Sequence, residues 1–215
     1  MVSRETPAWL APALPGLEAY AAILEGAGVE RGLIGPREVP RLWDRHLLNC
    51  AVVADPALGL LQPGDRVADV GSGAGLPGLV WALARPDIHV VLVEPLLRRS
   101  TFLGEAVDTL GIGEQVQVVR ARAEEAPRTA GWIPADVVTA RAVAPLDRLL
   151  GWTVPLLAPG GRLVALKGAA ASSEVTQAAA AAAAVGLEDL AIVACGTGVV
   201  EPETTVVTGR RRAAQ

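Results

Sequence analysis

Lysine is almost missing from this chain of 215 residues: Lys167 is the only one, arginine supplies the rest of the 19 basic side chains, and the net charge is −4. Phosphate backbones are gripped by clustered cations, so this balance excludes a broad, non-specific hold on nucleic acid and leaves room only for local contacts. Cysteine is also scarce. Cys50 and Cys195 stand far apart in apolar surroundings, which excludes a disulfide framework and fits reduced core thiols in a cytoplasmic protein. No cluster of His, Cys and carboxylates has metal-ligand spacing, so no metal is expected. Aromatics make up 3% of the chain, leaving Val, Leu and Ala to fill the core, as in buried parallel strands and Ala-rich helices. Long hydrophobic runs are absent as well. The stretch from Pro7 to Leu24 is broken by Pro12, Pro15, Gly16 and Glu18, and Arg4 is offset by Glu5, so it reads as neither a signal peptide nor one of the roughly 20-residue runs that span a membrane.

A hydrophobic fraction of 51% at this length indicates one globular domain, with a monomer favoured. Leu17, Tyr20, Ala21 and Leu24 repeat at helical spacing up to Gly26 and Gly28. A second helix starts at Pro40 and buries Leu42, His46 or Leu47, Cys50 and Ala54, with Arg41, Arg45 and Asn49 on the opposite face. From Arg66 the text changes. Strands are expected at Arg66 to Val70, His89 to Glu94, Val116 to Arg120, Asp136 to Thr139 and Arg162 to Lys167. Helices are expected between them, at Pro77 to Ala84, Leu97 to Leu110, Pro145 to Leu157 and Ser173 to Val185. This alternation implies an α/β, doubly wound, mostly parallel sheet. Asp189 to Ala194 and Thr204 to Thr208 have no helix between them and suit an antiparallel hairpin at its edge. The division is residues 1–60 as a helical cap, 61–210 as the α/β core and 211–215 as a tail, with Gly209 to Arg212 read as frayed.

The chemistry concentrates in Asp69-Val-Gly-Ser-Gly-Ala-Gly-Leu-Pro-Gly78, which follows a strand and precedes a helix. Gly71, Gly73 and Gly75, with Ser72 between them, allow a sharp turn and bring bare backbone against a ligand. A dinucleotide fingerprint wants glycine three residues after Gly73, but Leu76 stands there, so the turn lacks the usual pyrophosphate cradle. Glu94 closes the second strand about 20 residues on, where an acid accepts hydrogen bonds from ribose hydroxyls. The combination suits adenosine carrying an amino acid. Ala123 and Glu124 follow the third strand, where an amide and an acid meet an adenine ring. Arg141 and Lys167 stand on the carboxyl edge, where open α/β sheets bind ligands, and are the candidates for positioning the reaction. Arg98 and Arg99 open the helix after Glu94 as candidate phosphate contacts.

Further absences narrow the reaction. No Asn-Pro-Pro-Tyr or Asp-Pro-Pro-Tyr follows the fourth strand to grasp an exocyclic amine, and neither cysteine sits where it could attack a pyrimidine. An acceptor atom with a free lone pair remains, and guanine N7 qualifies. Its methylation needs alignment and a dry site rather than a base.

These residues resemble the RsmG (GidB) methyltransferases, which make 7-methylguanosine in 16S ribosomal RNA. The matching stretches are Arg45-His-Leu-Leu-Asn49, Asp69 to Gly78, Glu94-Pro-Leu-Leu-Arg-Arg-Ser-Thr-Phe-Leu103, Arg122-Ala-Glu-Glu125, Ala140-Arg-Ala-Val-Ala144 and Leu166-Lys-Gly168. The resemblance implies the seven-stranded, Rossmann-like class I sheet behind an N-terminal helical cap. It also implies S-adenosylmethionine contacts at Gly71, Leu76, Ala123, Glu124 and Arg141. RNA contact is expected from Arg45, His46, Arg98 and Arg99, with the small ribosomal subunit or an assembly intermediate as partner. The sequence departs from the family at Arg98, commonly lysine, and at Thr204 and Thr205, where a basic residue is frequent. The alternatives left open are a methyltransferase acting on a small molecule or protein, a non-catalytic binding module and a nicotinamide dehydrogenase.

Overall fold

The computed structural model describes residues 6–213; Arg4, Glu5, Ala214 and Gln215 lie outside the described residues. Helix α1 (Leu14–Ile23) does not stop at the glycines. It runs through a wider π turn, Leu24–Gly28, because Leu24 and Gly28 are buried against the rest of the cap, and this packing outweighs the weak helix propensity of glycine. The second cap helix begins with a π turn, Leu42–Leu48, continues as the short α2 (Asn49–Ala51) and tightens over Val52–Ala54. Leu42, Leu47, Cys50 and Ala54 are buried, His46 is half-buried, and Arg41 and Arg45 are exposed.

Strand β1 (Arg66–Val70) and helix α3 (Gly78–Ala84) open the sheet domain. Then come β2 (His89–Val93), α4 (Leu97–Leu110), β3 (Val116–Val119), β4 (Ala135–Arg141), α5 (Leu146–Thr153), β5 (Leu157–Lys167), α6 (Ala171–Ala184), β6 (Leu187–Cys195) and β7 (Thr204–Arg211). The seven strands lie in the order β3-β2-β1-β4-β5-β7-β6. All neighbours are parallel except β7, which runs antiparallel to both β5 and β6.

The near-continuous apolar runs of β1 and β2 are buried after their first residue, as expected where helices cover both faces. Because side chains alternate along a strand, one face packs Val67, Val90 and Val137 against the cap, α3 and α4, while the other packs Ala68, Val91 and Val138 against α5 and α6. Trp81 of α3 is fully buried and its indole N–H donates to Cys50 O at 2.9 Å, tying the cap to the first crossover helix.

Of the ends that differ from expectation, β5 begins at Leu157 instead of Arg162, and two others bear on the site or the sheet edge. Strand β4 runs two residues past Thr139, so Arg141 terminates the strand and is held by its ladder opposite Leu166. Gly209 to Arg211 belong to β7 instead of a frayed tail: Arg211 donates to Leu157 O and the Arg212 amide to Gly186 O. A β-carbon on Gly209 would stand 2.8 Å from Leu187 Cδ2, a side-chain end that would have to shift.

Candidate functional site

The switch from β1 into the glycine loop is held by its own side chains. Asp69 is fully buried, its Oδ2 accepts the Gly78 amide at 3.0 Å, and Ser72 Oγ donates to Asp69 O at 2.8 Å. Its Oδ1 has no hydrogen-bond partner, and burial pushes the Asp69 carboxyl up to about 7, opposed by the Gly78 amide. Gly71, Gly73 and Gly75 all have positive φ. At Gly75 the constraint is twofold: φ is +98°, and a β-carbon would lie 2.5 Å from Leu79 Cδ1 and 2.8 Å from the Tyr20 hydroxyl. Tyr20 is fully buried on α1 and donates to Ala74 O, so the cap grips the loop from behind. Burial raises the Tyr20 phenol well above its ordinary value, keeping it a neutral donor.

Glu94 is buried beyond the end of β2. Its Oε2 accepts the Gly73 amide and its Oε1 the Leu96 amide, both at 3.0 Å. An ionised carboxylate offers about four acceptor positions, so two remain for a ligand. In front of it opens a cleft of about 620 Å³ lined by Gly71 to Ala74, Leu76, Glu94, Leu96, Arg99, Arg122 and Arg141. That volume lies within the usual range for small-molecule and cofactor sites. The bare loop, the buried acid and this volume fit a nucleoside with an amino-acid tail.

A second, larger cleft of about 1180 Å³ lies on the other side of Arg141. Arg41, Arg45 and Asn49 from the cap line one side, Lys167 to Ala169 and Glu174 another, and residues 200–205 the third. Arg141, Ala142 and Val143 line both clefts. Arg141 is fixed at this junction by the cap: one Nη donates to Cys50 Sγ at 2.9 Å and the other lies 2.7 Å from His46 Nδ1. His46 Nε2 is 3.0 Å from Glu38 Oε2, and Glu38 Oε1 is 3.5 Å from Arg45. Burial lowers the His46 pKa, with the Glu38 bond opposing and the Arg141 charge assisting. Ala142, directly after Arg141, takes a left-handed φ of 55°, which turns the chain sharply off the sheet.

The model of the GidB family, described as rRNA small subunit methyltransferase G, matches residues 13–204. The chain belongs to the GidB family. It is 56% identical to the ribosomal RNA small subunit methyltransferase G of Mycolicibacterium gilvum over 92% of this chain and 85% of that one. It is 60% identical to the protein of the same description from Salinispora arenicola over 90% and 79%. Among solved structures, the S-adenosylmethionine-dependent methyltransferase SibL superposes with a TM-score of 0.62 at 17% identity, covering 97% of this chain and 71% of SibL. The tRNA (m1A58) methyltransferase TrmI from Aquifex aeolicus gives 0.56 at 15%, covering 78% and 69%. At those identities the likeness is one of fold, the class I methyltransferase sheet.

In this GidB-family chain the residues singled out from the sequence fall in different places. Gly71, Ser72, Gly73, Leu76, Glu94, Arg99 and Arg141 line the smaller cleft, and His46 joins them. Gly75 is turned toward Tyr20 and Leu79 behind the loop. Ala123 packs into the core, Glu124 is exposed, and Arg122 is the member of that stretch that lines the cleft. Arg45 lines the larger cleft, whereas Arg98 is exposed beside Gly32. Lys167 is nearly buried and already paired. Its Nζ donates to Ala144 O at 2.8 Å and to Glu174 Oε2 at 2.7 Å, and the same Glu174 oxygen accepts the Leu146 amide. It therefore braces the loop after β4 instead of presenting its charge. Tyr20, Glu38, Cys50 and Glu174 were not foreseen as site residues. Only Tyr20 carried a signal: it is the sole tyrosine, on a buried helical stripe where a phenol needs a partner.

Proposed function

We propose that this chain transfers the methyl group of S-adenosylmethionine to N7 of one guanine in 16S ribosomal RNA, acting on the small subunit or an assembly intermediate. The observation that carries the reading is the junction of the two clefts at Arg141 in a member of the rRNA small subunit methyltransferase G family. The cofactor supplies an electrophilic methyl group on a sulfonium. Glu94, with its two free acceptor positions, holds the ribose hydroxyls, while the backbone of Gly71 and Gly73 approaches the amino-acid tail. Guanine N7 has a lone pair and no proton, so no side chain has to act as a base. Arg141 meets the chemical need, which is alignment: bonds to His46 and Cys50 use two of its five N–H donors. The others reach a cofactor carboxylate on one side and guanine O6 on the other.

A subunit substrate is favoured by the walls of the larger cleft, which carry Arg41 and Arg45 together with Asp44, Glu201 and Glu203. Such a mixed lining gives little net attraction for bare RNA. The test compares 7-methylguanosine in 16S RNA from cells with and without the gene, then asks whether the purified protein restores it on subunits and on protein-free RNA. Loss of one modified guanine, restored preferentially on subunits at physiological salt, is the expected result. An unchanged modification map overturns the reading. Equal turnover on protein-free RNA overturns the subunit preference.

A further inference from the structure

Arg141 and Lys167 occupy equivalent places at the ends of neighbouring strands, yet their partners differ in kind. Lys167 faces a carboxylate, and its charge is neutralised within the protein. Arg141 is held by a thiol sulfur and an imidazole nitrogen, both neutral acceptors. Two such bonds set the plane of a guanidinium without consuming its charge, which stays available to a ligand at the junction.

The bonds also dictate the state of the ring. An arginine donates only, so His46 Nδ1 must carry the lone pair. Nε2 must then carry the proton, which it donates to Glu38. Only the neutral Nε2–H form satisfies both contacts. His46 and Cys50 are four positions apart, and the π turn and α2 bring both toward Arg141. The titratable and charged groups facing the ring are Glu38 from the preceding turn, Arg45 from its own helix and Arg141 from β4. Cys50 stands beside them, with its thiol pushed up by burial and so neutral. Protonation of Nδ1 would set two donors and two positive charges 2.7 Å apart.

We propose that His46, assisted by Cys50, is a positioning residue that aims the Arg141 guanidinium from the cap, and that it works only as the neutral Nε2–H tautomer. The proposal rests on the methyltransferase reading for its kinetic consequence, while its structural half stands without activity.

The chain has two histidines, His46 and the exposed His89, so protein labelled with 15N-histidine gives two imidazole patterns. One should be the Nε2–H tautomer, stay neutral to below the ordinary imidazole range and vanish in His46→Asn. Asparagine keeps an acceptor on the δ branch toward Arg141, whereas His46→Leu has none. On small subunits His46→Leu should lower kcat about 20-fold or more, with KM and cofactor Kd within about three-fold of wild type, and His46→Asn should recover most of the loss. Wild-type turnover should fall on the acid side as the ring protonates, and His46→Asn should lack that limb. A charged or Nδ1–H ring at neutral pH overturns the proposal. So does a folded His46→Leu with wild-type kcat or a change in KM alone, which would make His46 an RNA contact. His46→Asn turning over no better than His46→Leu overturns it too. If His46→Leu fails to fold, the tautomer in wild type and the pH profile of His46→Asn decide. A wild-type protein inactive on subunits would overturn the methyltransferase reading and leave the tautomer result standing.

Discussion

Around the smaller cleft the bonds that shape the site are short in sequence: Ser72 to Asp69 O spans three residues, Glu94 to the Leu96 amide two, Gly78 to Asp69 nine and Gly73 to Glu94 twenty-one. At the junction and around the larger cleft they are long. Arg141 reaches Cys50 across 91 residues and His46 across 95, and Thr204 Oγ1 reaches Asn49 O across 155. The proposed cofactor side is thus a local motif that a strand, a loop and the next strand assemble among themselves. The proposed acceptor side exists only after the cap, β4, β5 and β7 have come together. Damage to the first should act mainly on cofactor affinity, and damage to the second on turnover.

The sharpest break is expected at the junction. Arg141→Lys keeps the charge but cannot bond Cys50 and His46 while presenting a planar fork. Single-turnover methylation should fall by about two orders of magnitude or more, about 2.7 kcal/mol, with melting temperature and cofactor affinity little changed. Turnover within a few-fold of wild type would make Arg141 a structural arginine.

On the local side, Glu94→Ala removes the proposed ribose acceptor and frees the Gly73 and Leu96 amides. Calorimetry should show cofactor binding weaker by about 1.5–3 kcal/mol, ten-fold or more. An unchanged Kd would remove Glu94 from the site.

Tyr20 blurs the comparison, because its hydroxyl reaches Ala74 O across 54 residues. Tyr20→Phe keeps the ring and deletes that bond, at about 1 kcal/mol. If the cap supports the cofactor loop, cofactor affinity should drop several-fold. A loss confined to melting temperature would leave the loop self-sufficient.

The last effect concerns pH. Burial raises the folded-state pKa of Asp69 to about 7, above the usual carboxylate value. The native protein therefore holds an extra proton between about pH 4 and 7. The stability linked to that proton is fully present at the acid end and is lost as pH rises through 7. Asp69→Asn cannot titrate, so its melting temperature should gain on wild type between pH 5 and pH 8. Parallel profiles for the two proteins would show that Asp69 is charged throughout.

Glu94, the glycine turn and the alternation of strands and helices were legible because periodicity and short-range geometry determine them: a buried parallel strand needs an apolar run, and a tight turn needs positive φ. Arg141 was legible as a position, the end of a strand on the carboxyl edge. Its partners were not. Nothing in the order of residues pairs His46 with Arg141 or Lys167 with Glu174. The cap face carrying Arg41, Arg45 and Asn49 was legible as a helix face, but only the fold set it along a cleft. Gly26, Gly28 and Gly209 read as ends of elements, because propensity is local while burial against distant side chains is not.

The sequence alone therefore determined the individual strands and helices, the loop that leaves β1 and the acid that closes β2, since each depends on backbone conformations and contacts within some twenty residues. Tertiary structure decided which charges remain available. Lys167 is neutralised by Glu174, and Arg141 is aimed by a thiol and an imidazole that leave its charge intact. The physical reason is that a side chain's electrostatic state depends on whatever lies within a few ångströms of it, and for these two residues most of that arrives from remote parts of the chain.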